Sequence, residues 1–151
     1  MSCATATRGF TLIELVTSIV IIGVLGAVAA PHFFDTAAFN ERGYIDEVGF
    51  TLRYAQKIAI ASECDVSVAI NAAGYLATQQ AACNAGAWIT PVQRTDGSAL
   101  AGSAPANVAM APNTTIIFDK TGGVGVSPPV LSVGIFTLSV DKTSGLVTVL
   151  P

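Results

Sequence analysis

Glu14 is the single carboxylate in an otherwise apolar run from Phe10 to Ala30. A charge placed there is costly unless it is paired, so its natural chemistry is to meet a buried cation. Just before the run stands the small residue Gly9. A secretory signal has its small-residue cleavage site after the apolar core; here Gly9 precedes it, so cutting after Gly9 leaves the hydrophobic segment on the mature chain. Cys64 and Cys83 are the second reactive pair, and two similar stretches, Phe118 to Val124 and Val140 to Leu146, each carry an Asp-Lys-Thr motif followed by Gly.

The element that must position Glu14 is a helix. Roughly 20 apolar residues at about 1.5 Å each are long enough to cross the hydrocarbon core of a bilayer. Pro31 closes the run and is expected to kink the helix, since it lacks an N–H and crowds the preceding turn. Beyond it, Ile45, Val48, Leu52, Ala55 and Ala59 recur on one helical stripe, with Arg42, Asp46, Glu47, Arg53 and Lys57 mostly off it. Arg42 and Asp46 have the spacing of an i,i+4 ion pair. Gly43 and Gly49 each cost about 0.5–1 kcal/mol relative to Ala, which softens the helix locally. Phe10 to about Ser62 therefore reads as one long, gently bent helix.

From Asp65 the period changes to two. Val66, Val68 and Ile70 alternate with Ser67 and Ala69, Asn71-Ala72-Ala73-Gly74 reads as a turn, and Tyr75 to Gln79 as the return strand. Residues 84–113 read as a long loop anchored by Trp88-Ile89, with a short strand over Trp88 to Val92. Thr115 to Phe118, Ile135 to Val140 and Leu146 to Leu150 read as further strands. The echoed Asp-Lys-Thr stretches read as turns; a Ca²⁺ site at Asp119 or Asp141 would need convergent oxygens that the sequence does not cluster. The fold class is α+β, a long N-terminal helix packed on a small antiparallel sheet.

The signature Gly9-Phe10-Thr11-Leu12-Ile13-Glu14 resembles the type IV prepilin motif. That resemblance implies a leader over residues 1–9, cleavage by prepilin peptidase between Gly9 and Phe10, and N-methylation of the Phe10 amine. It also implies that Glu14 pairs with a neighbouring subunit's amino terminus and sets the register of assembly. Leu52 to Ala61 followed by Val66-Ser67-Val68 resembles the H-type pseudopilin and minor pilin family (GspH/FimT), and is similar there to pilins of the mannose-sensitive haemagglutinin type. The implied organisation is a leader (1–9), a transmembrane or fibre-core half-helix (10–30), an amphipathic half-helix (31–62) and a globular sheet domain (63–151). The implied partners are other pilin or pseudopilin subunits, prepilin peptidase, inner-membrane lipid before assembly, and assembly platform proteins. The implied location is the bacterial inner membrane with a periplasmic domain, then a pilus or type II secretion pseudopilus. A minor pilin or pseudopilin is the first reading, a major pilin the second.

Composition narrows the alternatives. Of the 151 residues 52% are hydrophobic and 11% charged, and the net charge is -3; the charged share is under half the usual roughly 25%. A DNA-binding minor pilin calls for clustered cations, whereas Arg94, Lys120 and Lys142 are dispersed along the sequence. Cys3 falls in the leader. Cys64 and Cys83 remain, and outside the cytoplasm a disulfide is the first reading; two free buried thiols or a metal site are the alternatives, the latter with only His32 to assist. His32 reads as an interfacial polar residue, and Asn113-Thr114-Thr115 matches a glycosylation sequon. No nucleophile, phosphate-loop or metal-ligand pattern points to an enzyme or a cofactor.

Overall fold

The computed structural model describes residues 10–33 and 36–151, with the backbone alone for residues 28–33. Two compact units divide between Thr36 and Ala37. The first holds helix α1, Leu12–Phe33. The second is built on helix α2, Thr36–Ser62. The expected single helix from Phe10 to Ser62 is described in two stretches, α1 and α2, and its continuity falls on residues 34 and 35, outside the described residues.

The stripe read from the sequence is the buried face of α2. Ile45, Val48, Leu52, Ala55 and Ala59 all have no exposed surface, and Tyr44 and Thr51 extend the face. The Arg42–Asp46 ion pair forms at 2.9 Å, with both side chains about half exposed, so it contributes tenths of a kcal/mol. Arg42 also lies over the Phe136 ring, 5.2 Å from its centroid. Gly49, expected to soften the helix, sits where α2 approaches the sheet: a Cβ there would lie 3.3 Å from Val149 Cγ2. Gly43 faces open space.

Eight strands follow, in two antiparallel sheets. Strands β1 (Val66–Asn71) and β2 (Gly74–Gln80) form the expected hairpin, and Asn71 Oδ1 accepts hydrogen bonds from the Ala73 and Gly74 N–H groups inside the turn. On the far side of β1 lies β5 (Thr114–Phe118). The free side of β2 is shared end to end by β3 (Trp88–Pro91) and β4 (Ala101–Ser103). The second sheet runs β6 (Leu131–Val133), β7 (Phe136–Val140), β8 (Val147–Leu150). Inward-facing side chains of both sheets and the α2 stripe share one core that includes Phe118, Leu131 and Leu138.

The stretch 84–113 holds the expected short strand as β3, but it also holds a second strand and core residues that the long-loop reading did not include. It contains β3 and β4, and it sends Val92, Leu100, Val108 and Met110 into the core, while its expected anchor Ile89 is 66% exposed. Ala101-Gly102-Ser103 carries no β-branched signal. It pairs because Gly102 lies directly under the Tyr75 ring, where any Cβ would collide with it. Ile135 also differs from expectation, falling in the tight turn between β6 and β7 rather than in a strand.

Candidate functional site

Thr11 starts α1. Its hydroxyl accepts a hydrogen bond from the Glu14 N–H at 3.3 Å, and its carbonyl accepts from the Glu14 and Leu15 N–H groups at 3.1 Å. Thr11 thus caps the helix with Glu14 three residues on, the spacing of a capping box. That spacing is legible in the sequence as Thr11-Leu12-Ile13-Glu14. A carboxylate in the first turn is also favoured by the helix dipole. Thr17 and Ser18 both donate their hydroxyls to the Glu14 carbonyl, at 3.0 and 2.7 Å, which keeps two polar groups satisfied inside an apolar helix.

Apart from these polar residues, α1 is apolar from Leu12 to Ala27. From Leu12 to Leu25 its large side chains are between 40% and 80% exposed among the described residues. A helix apolar all round needs either lipid or other protein against it. Among the described residues, no helix is long and apolar enough to cross a membrane; residues 12–27, whose side chains are described, rise about 24 Å against a hydrocarbon core of about 30 Å. Glu14 makes no ion pair among the described residues. Phe10 is exposed beside the start of the helix. Gly9 lies outside the described residues. Pro31 is within the backbone of α1, and the His32 side chain is outside the described ones.

The two cysteines form the expected disulfide, Cys64–Cys83, with Cα atoms 4.9 Å apart. It joins the end of α2 to the β2–β3 connection. Beside it, Asn84 Oδ1 accepts from the Asp65 N–H at 2.8 Å, and Asn84 Nδ2 donates to the Glu63 carbonyl at 3.2 Å. Nothing in the sequence pattern marks Asn84.

The echoed turns meet. The Gln56 side-chain amide donates to the Gly122 and Ser144 carbonyls, each at 2.8 Å, and the Val124 N–H donates to the Lys142 carbonyl. Asp119 Oδ1 accepts from Thr121 and Gly123, and Asp141 Oδ1 from Thr143 and Ser144. These bonds hold both carboxyls below the usual carboxylate range, chiefly through the Thr121 hydroxyl for Asp119 and the Ser144 N–H for Asp141. Both Asp residues serve turn chemistry, and among the described residues no three His, Cys, Asp or Glu side chains group to hold a metal. A shallow groove of about 260 Å³ lies beside β5, lined by Asp65, Ile117, Asp119, Val124 and Val126 among others.

Comparison with known proteins bears on the N-terminal segment. Residues 5–30 match the family described as the prokaryotic N-terminal methylation motif. The chain is 44% identical over 52 residues to the type IV narrow pilus major component PilA5 of Thermus thermophilus, a match covering 34% of this chain and 45% of that protein. The chain thus spans less than half the length of this curated relative. No solved structure matches it. The methylation motif and the pilin relative fall with a capped apolar helix, so the N-terminal segment of this chain is similar to that of type IV pilins.

Proposed function

We propose that this chain is a subunit of a pilus or pseudopilus that assembles through α1. In this reading prepilin peptidase removes residues 1–9, and the new Phe10 amine is N-methylated. Residues 10–30 hold the chain in the bacterial inner membrane in a single pass, with the sheet domain in the periplasm, until assembly platform proteins extract it. On sequence they supply about 20 apolar residues, the length a bilayer requires. The supporting observation is the uncovered apolar surface of α1 around a first-turn carboxylate. Packed against neighbouring helices, that surface is buried, and Glu14 facing the Phe10 ammonium of another subunit offsets part of two desolvation costs at one stagger only. Pro31 then bends the chain where it leaves the fibre core.

Within this class a minor pilin or pseudopilin of the H type (GspH/FimT) is the first reading, from the Leu52–Val68 pattern. A major pilin is the second, and a specific observation favours it: the Thermus relative is named a major component. Quantitative mass spectrometry of sheared, purified fibres separates them. Dominance of this chain makes it a major pilin; a trace amount makes it an initiating or tip subunit; retention in the inner membrane makes it a secretion pseudopilin. The same spectra report the N terminus. A chain still starting at Met1 in every fraction would overturn the subunit reading altogether.

A further inference from the structure

Cys64 is bracketed by the two groups that Asn84 binds. Glu63 ends α2 with φ at 56°, in the left-handed region where glycine is usual, and Cys83 adopts φ 53°. Asn84 takes up the Asp65 N–H with its carbonyl oxygen and the Glu63 carbonyl with its amide nitrogen. One side chain therefore spans the residue on either side of Cys64, and that side chain belongs to the neighbour of Cys83. Gln79 adds a second tie to the same helix end, donating to Ser62 Oγ at 2.9 Å. The clasp itself is made of hydrogen bonds and lies beside the disulfide.

We propose that Asn84 is a positioning residue for the oxidative closure of Cys64 and Cys83, holding both thiols together before the disulfide exists. The closure is thiol–disulfide exchange with a disulfide-bearing oxidant. One cysteine thiolate attacks a sulfur of the oxidant, forming a mixed disulfide and expelling one thiolate of the oxidant. The second cysteine thiolate attacks the mixed disulfide, forming Cys64–Cys83 and expelling the other. Two electrons pass from the cysteines to the oxidant, and the two protons go to solvent or to the departing thiolates. Because the clasp unites α2, β1 and the β2–β3 connection, closure follows docking of these elements and does not drive it.

The test is the equilibrium of the full-length chain in detergent micelles with reduced and oxidised glutathione, read by alkylation and mass spectrometry. Asn84→Ala is expected to lower the effective concentration of the thiol pair about tenfold, the worth of one to two local hydrogen bonds. Asn84→Asp keeps an acceptor for the Asp65 N–H but loses the donor to the Glu63 carbonyl, and at least about a threefold loss is expected. It also supplies the measurement should the alanine variant not fold. Gln56→Ala, which removes two hydrogen bonds elsewhere in the same unit, is expected to leave the equilibrium unchanged. Either Asn84 variant within about twofold of the parent would overturn the proposal, and so would an equal loss in Gln56→Ala.

Discussion

Tyr75 donates its phenolic proton to Glu47 Oε1 across 2.6 Å, tying the hairpin strand β2 to α2. The ring itself is 4% exposed and packed over Gly102, and Arg94 approaches the same hydroxyl at 3.4 Å. Burial first, and the bond to Glu47 second, push the Tyr75 hydroxyl above its ordinary value of 10.0. Tyr75→Phe keeps the packing and removes the bond, so a loss of about 1–2 kcal/mol is expected in urea unfolding. The linkage has a definite sign. A folded-state pKa raised above the unfolded one gives stability that is complete below about pH 10 and declines as pH rises through the folded value. Tyr44, raised mainly by burial, adds to the same decline. The alkaline arm of the wild-type stability curve should therefore flatten in Tyr75→Phe.

Glycines in α2 and in the second echoed turn respond oppositely to alanine. Gly43 is helical with nothing near a built Cβ. Gly43→Ala is expected to stabilise by about 0.5–1 kcal/mol. Gly145 has φ 64°, and a Cβ there would run into the Gly122 carbonyl and the Gln56 amide. Gly145→Ala is expected to cost more than about 2 kcal/mol, because it strains the backbone and displaces Gln56 from two carbonyls. Melting temperatures of the two variants, moving in opposite directions, are the check.

The sequence shows α2 clearly because its signal is periodic. Ile45 through Ala59 repeat at helical spacing, and each is buried. The β1–β2 hairpin is equally legible, since alternation and an Asn-to-Gly turn both mark it. Strands β4 and β6 are not, because three-residue strands such as Ala101–Ser103 are held by their partners rather than by their own propensity. The echoed turns are visible as turns, but their meeting at Gln56 depends on a separation of 66 and 88 residues, which no local pattern encodes. At the start of α1 the charge at Glu14 stands out from the apolar run, whereas the Thr11 cap shows only in its hydrogen bond from the Glu14 N–H, although both stand in the same four residues.

The Cys64–Cys83 disulfide closes a loop of about 20 residues, worth about 3 kcal/mol on the loop-entropy model. Cys64→Ser is expected to lower the melting temperature under non-reducing conditions. Reductant should lower that of the wild type towards the same value and leave the variant unmoved. An unchanged melting temperature in Cys64→Ser would show that the clasp around Asn84 suffices without the covalent link.

Asp119 and Asp141 predict the acid side of the stability curve. Both carboxyls are held below the unfolded value by donors in their own turns. A depressed folded pKa gives stability present above about pH 4 and lost as pH falls through the folded value. Asp141→Asn should weaken the turn at neutral pH and make unfolding less steep below about pH 4. Acid titration of the variant beside the parent, followed by circular dichroism, is the measurement.

Glu14 carries the assembly prediction, and its local role must be separated from its proposed one. In the described chain Glu14 stands at the third position of a helix capped by Thr11, where a carboxylate is worth about 0.3–1 kcal/mol through the helix dipole. Glu14→Gln keeps a polar side chain of the same length at the third helical position and removes the charge, whereas Glu14→Ala removes both. If the charge pairs with the Phe10 ammonium of a neighbour, both variants insert into membranes normally, and both reduce fibre incorporation by tenfold or more, about 1.4 kcal/mol at each subunit contact. If the side chain serves only the helix start, Glu14→Gln incorporates as the wild type does and Glu14→Ala falls slightly. Incorporation measured by mass spectrometry of sheared fibres, normalised to the membrane pool, distinguishes the two, because only a buried counter-charge makes glutamine as damaging as alanine.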